Sequence, residues 1–200
     1  MTSINTYPYS VQIEKAQRHL RTGDESEIDT LIGLLGRDLD ELRQEWADEE
    51  RALTPEDALR CIVTGVNQHG RDILYDATDW NDGSYIRVFE LLVQHYGEAL
   101  DGWEQTRRSW FGTVDKALAA HGSLFSVESL MCEGVEELPV GVSGASVGYI
   151  LLEDIPEALT DLADAIRRGL PSEVESNIAD VQGWLQHCVD HGTDLACFAG

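Results

Sequence analysis

The C-terminal run HCVDH brings two histidines to the spacing of a helical metal site. His187 and His191 are four residues apart, so both would project from one side of a helix and could hold a metal that activates water. The run is similar to the H-x-x-E-H pattern of inverted zinc peptidases, with aspartate in place of glutamate. Both histidines fall outside the apolar stripe of that helix, and only nine residues follow them. Because the pair lacks a nearby third ligand, we expect no bound metal and no other cofactor.

The rest of the sequence contains no complete catalytic motif. Gly141, Gly144 and Gly148 lack the Lys-Ser/Thr ending of a phosphate loop, and we interpret them as loop glycines with unusual backbone angles. The serines lie outside a G-x-S-x-G elbow, and the widely spaced cysteines never form C-x-x-C, so neither a zinc knuckle nor a redox motif is predicted. Because no secretory signal is visible, we expect reduced, partly buried thiols. The other histidines are scattered, so each is expected at the surface or as a satisfied, partly buried side chain. These observations favour a protein without enzymatic activity.

The chain is strongly acidic. Its 37 aspartates and glutamates outnumber 14 lysines and arginines, which gives a formal net charge of -23. A surface of this sign repels the phosphates of nucleic acids and anionic lipids, and it attracts basic proteins. We therefore expect a basic protein partner, no direct contact with nucleic acid and no membrane association. The alternative is that the acidity is a solubility trait shared by most proteins of the host.

Tryptophans flanked by acidic residues are the predicted contact points for such a partner. One lies in a Gly-, Asn- and Asp-rich stretch at 67–84 that predicts a long loop, and the other lies between two helices. Helix packing does not require an indole at these places, whereas a pocket in a partner could accept it. The acidic helix predicted at 38–51 would add long-range attraction. The predicted partner-binding residues are Trp80, Asp79, Asp82, Trp103, Asp101, Glu104, Glu45 and Glu49.

Apolar periodicity predicts a mainly helical chain with a small sheet. Tyr7, Tyr9, Val11 and Ile13 alternate with polar or small residues, which is typical of a half-buried strand. Two further strands are predicted, an inner strand near 147–152 and a terminal strand at 195–198. The predicted helices are 24–35, 38–51, 55–65, 85–96, 110–121, 155–166 and 172–191. We therefore expect an α+β fold that forms a single domain over residues 1–200.

Local signals predict several helix ends. Gly36 is expected to end the first long helix, and Gly97 is expected to cap a later helix in a left-handed conformation. The Thr54–Pro55 pair predicts a capped helix start. Ser172 and Glu175 have the spacing of a capping box at the start of the last long helix.

The sequence also predicts a compartment. No apolar run approaches the about 20 residues of a membrane span, and residues 1–10 lack the basic flank and apolar core of a secretory signal. We therefore expect a cytoplasmic protein. The oligomeric state stays open.

The end of the chain combines Trp184, the segment 187–189, Gly192 and a final apolar segment at 195–198. This order of a helix with a tryptophan, a glycine stop and a strand with phenylalanine resembles the closing block of a poorly characterised bacterial family common in actinobacteria. Several segments in the middle of the chain fit the same family, and a more distant similarity is to YfbM-like proteins. The shared positions are mostly apolar residues, glycine or tryptophan, so the resemblance implies a fold and supplies no catalytic residue.

Three functions are compatible with the sequence. The first is a non-enzymatic binding protein that covers a basic partner, as an immunity protein or an antitoxin covers a nuclease. The second is a metal-dependent enzyme that uses His187 and His191. The third is a housekeeping interaction module whose acidity is only a host trait. The charge and the missing catalytic motifs favour the first function.

Overall fold

The computed structural model describes residues 3–47, 53–75, 82–139 and 144–200. The strands in these ranges are β1 (Thr6–Val11), β2 (Gly97–Ala99), β3 (Ser146–Ile150) and β4 (Asp194–Ala199). The helices are α1 (Ile13–Gln17), α2 (Glu25–Trp46), α3 (Pro55–Thr64), α4 (Asp82–Tyr96), α5 (Arg108–Ala120), α6 (Val127–Cys132), α7 (Ile155–Arg167) and α8 (Ser172–His191). A short 3-10 turn lies at Ile73–Tyr75. Within the described ranges, none of the helices combines the length and the apolarity that crossing a membrane requires.

The four strands form one sheet in the order β2-β1-β4-β3. Strands β1 and β4 pair antiparallel, with Thr6 opposite Ala199 and Val11 opposite Asp194. The two ends of the chain therefore lie side by side as strands, and the predicted α+β fold with a small sheet is confirmed. The strand predicted near 147–152 is present as β3. It lies at the edge of the sheet, however, so the prediction of an inner strand is wrong.

The described residues divide into two compact units. The first unit is built from residues of the segments 1–12, 98–133 and 147–200 and contains the sheet with helices α5 to α8. The second unit is built from residues of the segments 13–97 and 134–146 and contains helices α1 to α4.

Helix α8 supplies a central apolar stripe to the first unit. It packs against α7 and against strands β1 and β4. The helix ends at Gly192, which has a left-handed φ of 66°. The predicted stripe is confirmed, because its members are all buried, namely Val174, Ile178, Val181, Leu185 and Cys188.

The capping box predicted at the start of α8 is wrong. Ser172 is already helical, and Pro171 precedes it without a side-chain cap. The carbonyl oxygen of Pro171 instead accepts hydrogen bonds from the backbone amides of Val174 and Glu175, each at 2.9 Å. A backbone carbonyl thus satisfies the amides that a capping side chain would otherwise have to bind.

In the second unit, α2 is one continuous helix where the sequence predicts two. Gly36 lies inside this helix and does not end it. A glycine in a helix interior costs about 1 kcal/mol relative to alanine, which is less than the burial of even one large apolar side chain contributes. One stripe of buried side chains runs along the whole helix and consists of Ile28, Leu31, Leu35, Leu39, Leu42 and Trp46.

Two other predicted helix ends have different outcomes. The hydroxyl of Thr54 accepts a hydrogen bond from the backbone amide of Asp57 at 3.1 Å, so the predicted capped start of α3 is confirmed. Gly97 is the first residue of β2 and does not have a positive φ, so the predicted left-handed cap is wrong. The chain passes from α4 directly into the sheet at this residue.

The predicted loop glycines also differ from one another. Gly144 has a φ of 100°, as expected for a loop glycine, whereas Gly141 lies outside the described residues. Gly148 is buried within β3, and a Cβ atom there would lie only 2.4 Å from the carbonyl oxygen of Leu130. The absence of a side chain at Gly148 therefore permits close packing against α6.

Candidate functional site

The segment 98–103 lies along α8 in the first unit and contacts it at three successive levels. The contacting groups come from β2, from the loop that follows it and from one face of α8, and at the middle level the loop contributes a backbone carbonyl. Because the residue numbers fall along the segment as they rise along the helix, the two run in opposite directions. The three contacts are Trp103 Nε1 donating to Asp180 Oδ2 at 3.0 Å, Trp184 Nε1 donating to the Asp101 carbonyl at 2.8 Å, and Glu98 Oε2 lying 3.5 Å from His187 Nε2.

Strand β1 holds the other side of this segment. The backbone amide of Thr6 donates to the carbonyl oxygen of Trp103 at 2.9 Å, and the backbone amide of Trp103 donates to the Thr6 hydroxyl at 2.7 Å. A Cβ atom at Gly102 would lie 1.9 Å from the carbonyl oxygen of Thr6. Only a glycine allows the segment to approach β1 this closely, so Gly102 helps to place the residues on either side of it.

Trp103 is part of the hydrophobic core. It is 8% exposed, and its ring centroid lies 5.2 Å from that of Trp184 and 6.3 Å from that of Phe111. The expectation that helix packing does not require this indole is therefore wrong. Trp184 is also buried, and its ring packs against that of Trp103 from α8.

The acidic neighbours of Trp103 are exposed, in contrast to the indole. Asp101 and Glu104 have solvent-exposed side chains, and so does Asp180 on α8. Within the described part of the chain, no lysine or arginine forms an ion pair with any of the three. Their negative charge is therefore directed at solvent, and we call this group, together with Glu98, the segment surface.

The carboxylates of α2 have a different environment. Glu45, a predicted partner-binding residue, lies 3.5 Å from the guanidinium of Arg87. Several other exposed acids of this helix also have an arginine partner, and these pairs are Arg37 with Glu41, Arg43 with Asp40, and Arg60 with Glu25. Arginines thus pair with four of the acidic residues that the structure describes on α2, although Arg43 and Arg87 also each pair with a further glutamate. The acidic residues predicted at 48–50 lie outside the described part of the chain.

The structure describes the other predicted partner-binding residues only in part. Asp79, Trp80 and Glu49 lie outside the described residues. Asp82 is the first residue of α4, and its side chain lies outside the described part of the chain. The predicted binding site around Trp80 stays a prediction.

The two C-terminal histidines are adjacent in space and have an acidic neighbour. Ligand atoms of Glu98, His187 and His191 all lie within 4.8 Å of one another. The two imidazole rings stack with centroids 4.0 Å apart and planes inclined by 18°. The expectation that the pair lacks a nearby third ligand is therefore wrong. Sequence reasoning missed Glu98 because it searched near the histidines along the chain, whereas Glu98 reaches them through the fold.

A comparison with protein families matches residues 3–200 to a domain of unknown function, DUF7691. The chain belongs to the DUF7691 family. A comparison with curated proteins gave no match, and neither did one with solved structures.

In the second unit of this DUF7691 chain, His19 is a buried polar residue with both ring nitrogens bonded. Its Nδ1 lies 2.5 Å from Glu27 Oε1, and its Nε2 lies 2.9 Å from the hydroxyl of Tyr96. The Tyr96 ring stacks on the imidazole with a centroid distance of 5.6 Å. His19 is thus a satisfied, partly buried histidine, as the sequence predicts.

The DUF7691 chain has four free cysteines. Burial raises the pKa of the Cys61 and Cys188 thiols, and it raises the pKa of Cys197 well above its ordinary range. A raised pKa keeps a thiol protonated at neutral pH, and a protonated thiol is a poor nucleophile and a poor metal ligand. These three thiols therefore act as apolar core groups.

Proposed function

We propose that this DUF7691 protein is a non-enzymatic binding protein whose acidic surface covers a basic partner protein. The observation that carries the proposal is the segment surface of Glu98, Asp101, Glu104 and Asp180, where exposed carboxylates have no lysine or arginine partner among the described residues. Carboxylates without such a partner keep their full charge for a cationic surface outside the molecule.

The fixed position of these carboxylates supports the proposal. Trp103 and Trp184 bind the segment to α8, and Thr6 binds it to β1, so the acidic groups sit on a backbone that is held from two sides. A preorganised charged surface loses less conformational freedom on binding than a mobile loop does. Binding to a basic partner would therefore cost little ordering entropy on this side.

The charge pairing on α2 changes the role that this helix has in the proposal. Glu45 and its acidic neighbours are partly neutralised by arginines, so they contribute less to steering a partner than the sequence alone predicts. The segment surface is the better candidate for direct contact. Trp80 with Asp79 and Asp82 remains a second proposed contact, because the sequence predicts a loop there and a tryptophan in a loop can fill a pocket in a partner.

An immunity protein or antitoxin is the specific kind of binding protein that we favour, with a nuclease toxin as its partner. Nucleases present basic surfaces to bind phosphates, and an acidic protein can occupy such a surface in place of nucleic acid. This choice rests on charge complementarity. It predicts that a captured partner has nuclease activity and that the DUF7691 protein inhibits it.

Affinity capture with a salt series tests the proposal. The purified chain is immobilised, exposed to a lysate of the source organism at low salt, and washed with increasing NaCl. We expect a basic protein to be captured at low salt and to elute as NaCl rises. The Debye length falls from about 10 Å at 0.1 M NaCl to about 3 Å at 1 M NaCl, which screens the attraction. Capture of no protein, or of one that salt does not release, would contradict the proposal and leave the acidity as a host trait.

A further inference from the structure

We infer that Glu98, His187 and His191 form a binding site for one divalent transition-metal ion, and that zinc fits the three ligands well. This inference does not require the proposed binding of a basic protein, although Glu98 belongs both to the metal ligands and to the segment surface. It rests on the spacing of the ligand atoms, on the hydrogen bond that orients His191 and on a buried ring nitrogen of His187.

The separation of the first two ligand atoms matches a shared metal ion. Glu98 Oε2 and His187 Nε2 are 3.5 Å apart. This distance is longer than the about 2.7–3.2 Å of a hydrogen bond. Two ligands on a tetrahedral zinc, each at about 2.1 Å, lie about 3.4 Å apart. The pair is therefore spaced for an ion between them and not for a direct hydrogen bond.

His191 is oriented in the way that metal-binding histidines are. Its Nδ1 lies 2.8 Å from the backbone carbonyl oxygen of His187, one helical turn earlier. A carbonyl oxygen only accepts, so Nδ1 carries the proton and the lone pair of the neutral ring is left on Nε2. This kind of outer hydrogen bond fixes the tautomer and the ring orientation of a ligating histidine.

The ring nitrogen of His187 provides the second indication. His187 Nε2 is a buried atom that has no hydrogen-bond partner in the described part of the chain, although the side chain as a whole is 28% exposed. Buried polar atoms in proteins nearly always have a partner, and each exception calls for an explanation such as an ion. A metal bound between Nε2 and Glu98 would supply the missing partner.

The surroundings of the site favour a cation. The formal net charge of the chain is -23, and Asp101 on the same segment is an exposed carboxylate. Glu98 is paired with no lysine or arginine among the described residues, so no fixed positive charge competes with the ion there. Glu98 and His191 are both exposed, so an ion held by three side chains would keep a position for water.

Zinc titration of the metal-free full chain tests the site. Isothermal titration calorimetry should give one zinc ion per chain, and Co(II) should give the absorption of a tetrahedral site with nitrogen and oxygen ligands. Each of the variants His187→Ala, His191→Ala and Glu98→Gln should weaken zinc binding by about tenfold or more, since loss of even an outer-shell partner causes an effect of this size.

His121→Ala is the matched control. His121 also lies at a helix C-terminus, and its Nδ1 likewise lies 2.8 Å from the carbonyl oxygen four residues earlier, but it has no place in the ligand cluster. This variant should bind zinc as the parent does. Equal binding by Glu98→Gln and the parent, or no zinc binding by the parent, would overturn the inference.

Circular dichroism and thermal unfolding separate loss of the site from loss of the fold. Glu98 and His191 are exposed, so their variants are expected to fold even if His187→Ala does not. The titration needs no partner protein. Failure of zinc binding would therefore leave the proposed acidic contact surface untouched, and failure of partner capture would leave the metal site untouched.

Discussion

The indole Nε1 of Trp103 donates a hydrogen bond to the carboxylate of Asp180 at 3.0 Å, which ties the segment after β2 to the middle of α8. The carboxylate of Asp180 is exposed, whereas the indole is buried in the core of the first unit. One contact thus joins the hydrophobic core to the acidic surface. The position of that surface depends on packing beneath it.

Replacing Trp103 should destabilise the protein. Trp103→Ala removes a buried aromatic side chain and should lower the free energy of unfolding by about 3–5 kcal/mol. Trp103→Phe retains most of the packing but loses the hydrogen bond to Asp180, so it should cost about 1 kcal/mol. Urea unfolding followed by circular dichroism measures both. Tyr75, which is 85% exposed, provides the control, and Tyr75→Ala should change stability by less than about 0.5 kcal/mol.

A Trp103→Ala protein as stable as the parent would show that the indole is dispensable for the fold. Such a result would restore the expectation from sequence that this side chain is available to a partner.

Gly102 should not tolerate a side chain. In Gly102→Ala the new Cβ would lie 1.9 Å from the backbone carbonyl oxygen of Thr6. A change of side-chain rotamer cannot separate these two atoms. The segment must therefore move away from β1, which should lower the free energy of unfolding by about 1–3 kcal/mol. Chemical denaturation measures this change.

Gly183→Ala is the matched control for that experiment. Gly183 lies within α8 in the same unit, and a Cβ there would meet no atom within 4 Å. Alanine in a helix interior should stabilise the protein by about 0.5–1 kcal/mol. If both alanine variants shift stability in the same direction, the close approach at Gly102 is not the cause.

The ion pair of Arg21 and Asp72 in the second unit should make stability depend on pH. The hydrogen bond from the Arg21 guanidinium lowers the pKa of Asp72 from its ordinary value of 3.8 to about 2. A carboxyl whose pKa is lower in the folded state stabilises the protein above its unfolded pKa, and this contribution disappears as the pH falls toward the folded pKa.

Asp72→Asn removes this ionisation, so the parent should be more stable than the variant above pH about 5 and should lose that advantage between about pH 4 and about pH 2. Urea midpoints measured across this range give the comparison. Asp29→Asn, at an exposed position of α2 without an ion pair among the described residues, should follow the parent at every pH. A constant difference between the parent and Asp72→Asn would contradict the expected linkage.

The sequence predicts those elements whose formation depends on apolar periodicity. The stripe from Val174 to Cys188 correctly indicates α8, because burial of one helix face decides that structure. The alternation that starts at Tyr7 indicates a strand, and β1 is present, but the half-buried pattern predicted for it is wrong, because Tyr7 is exposed while Ser10 is buried. Ile13 begins α1 instead of continuing the strand. Glycine is a weaker guide. Gly36 predicts a helix end, but α2 continues past it. The burial of the apolar stripe on both sides of Gly36 outweighs the cost of a glycine in the helix interior.

The candidate site is less predictable because it is built from distant parts of the chain. The spacing of His187 and His191 is visible in the sequence, but Glu98 becomes their neighbour only through the antiparallel course of its segment along α8. The burial of Trp103 has the same origin. The fold also decides which carboxylates have an arginine partner. A net charge of -23 contains no information about which acids are neutralised.

In the proposed function, the segment surface makes the main contact with a basic partner and α2 contributes less. The most direct test compares the association rates of the captured partner with two double variants, Asp101→Asn/Glu104→Gln on the segment and Glu25→Gln/Glu41→Gln on α2. Both remove the same charge, but Glu25 and Glu41 are paired with Arg60 and Arg37. At low salt the segment variant should associate about tenfold more slowly than the parent, and the α2 variant should remain close to it. Equal slowing of the two variants, or no slowing of either, would contradict the claim.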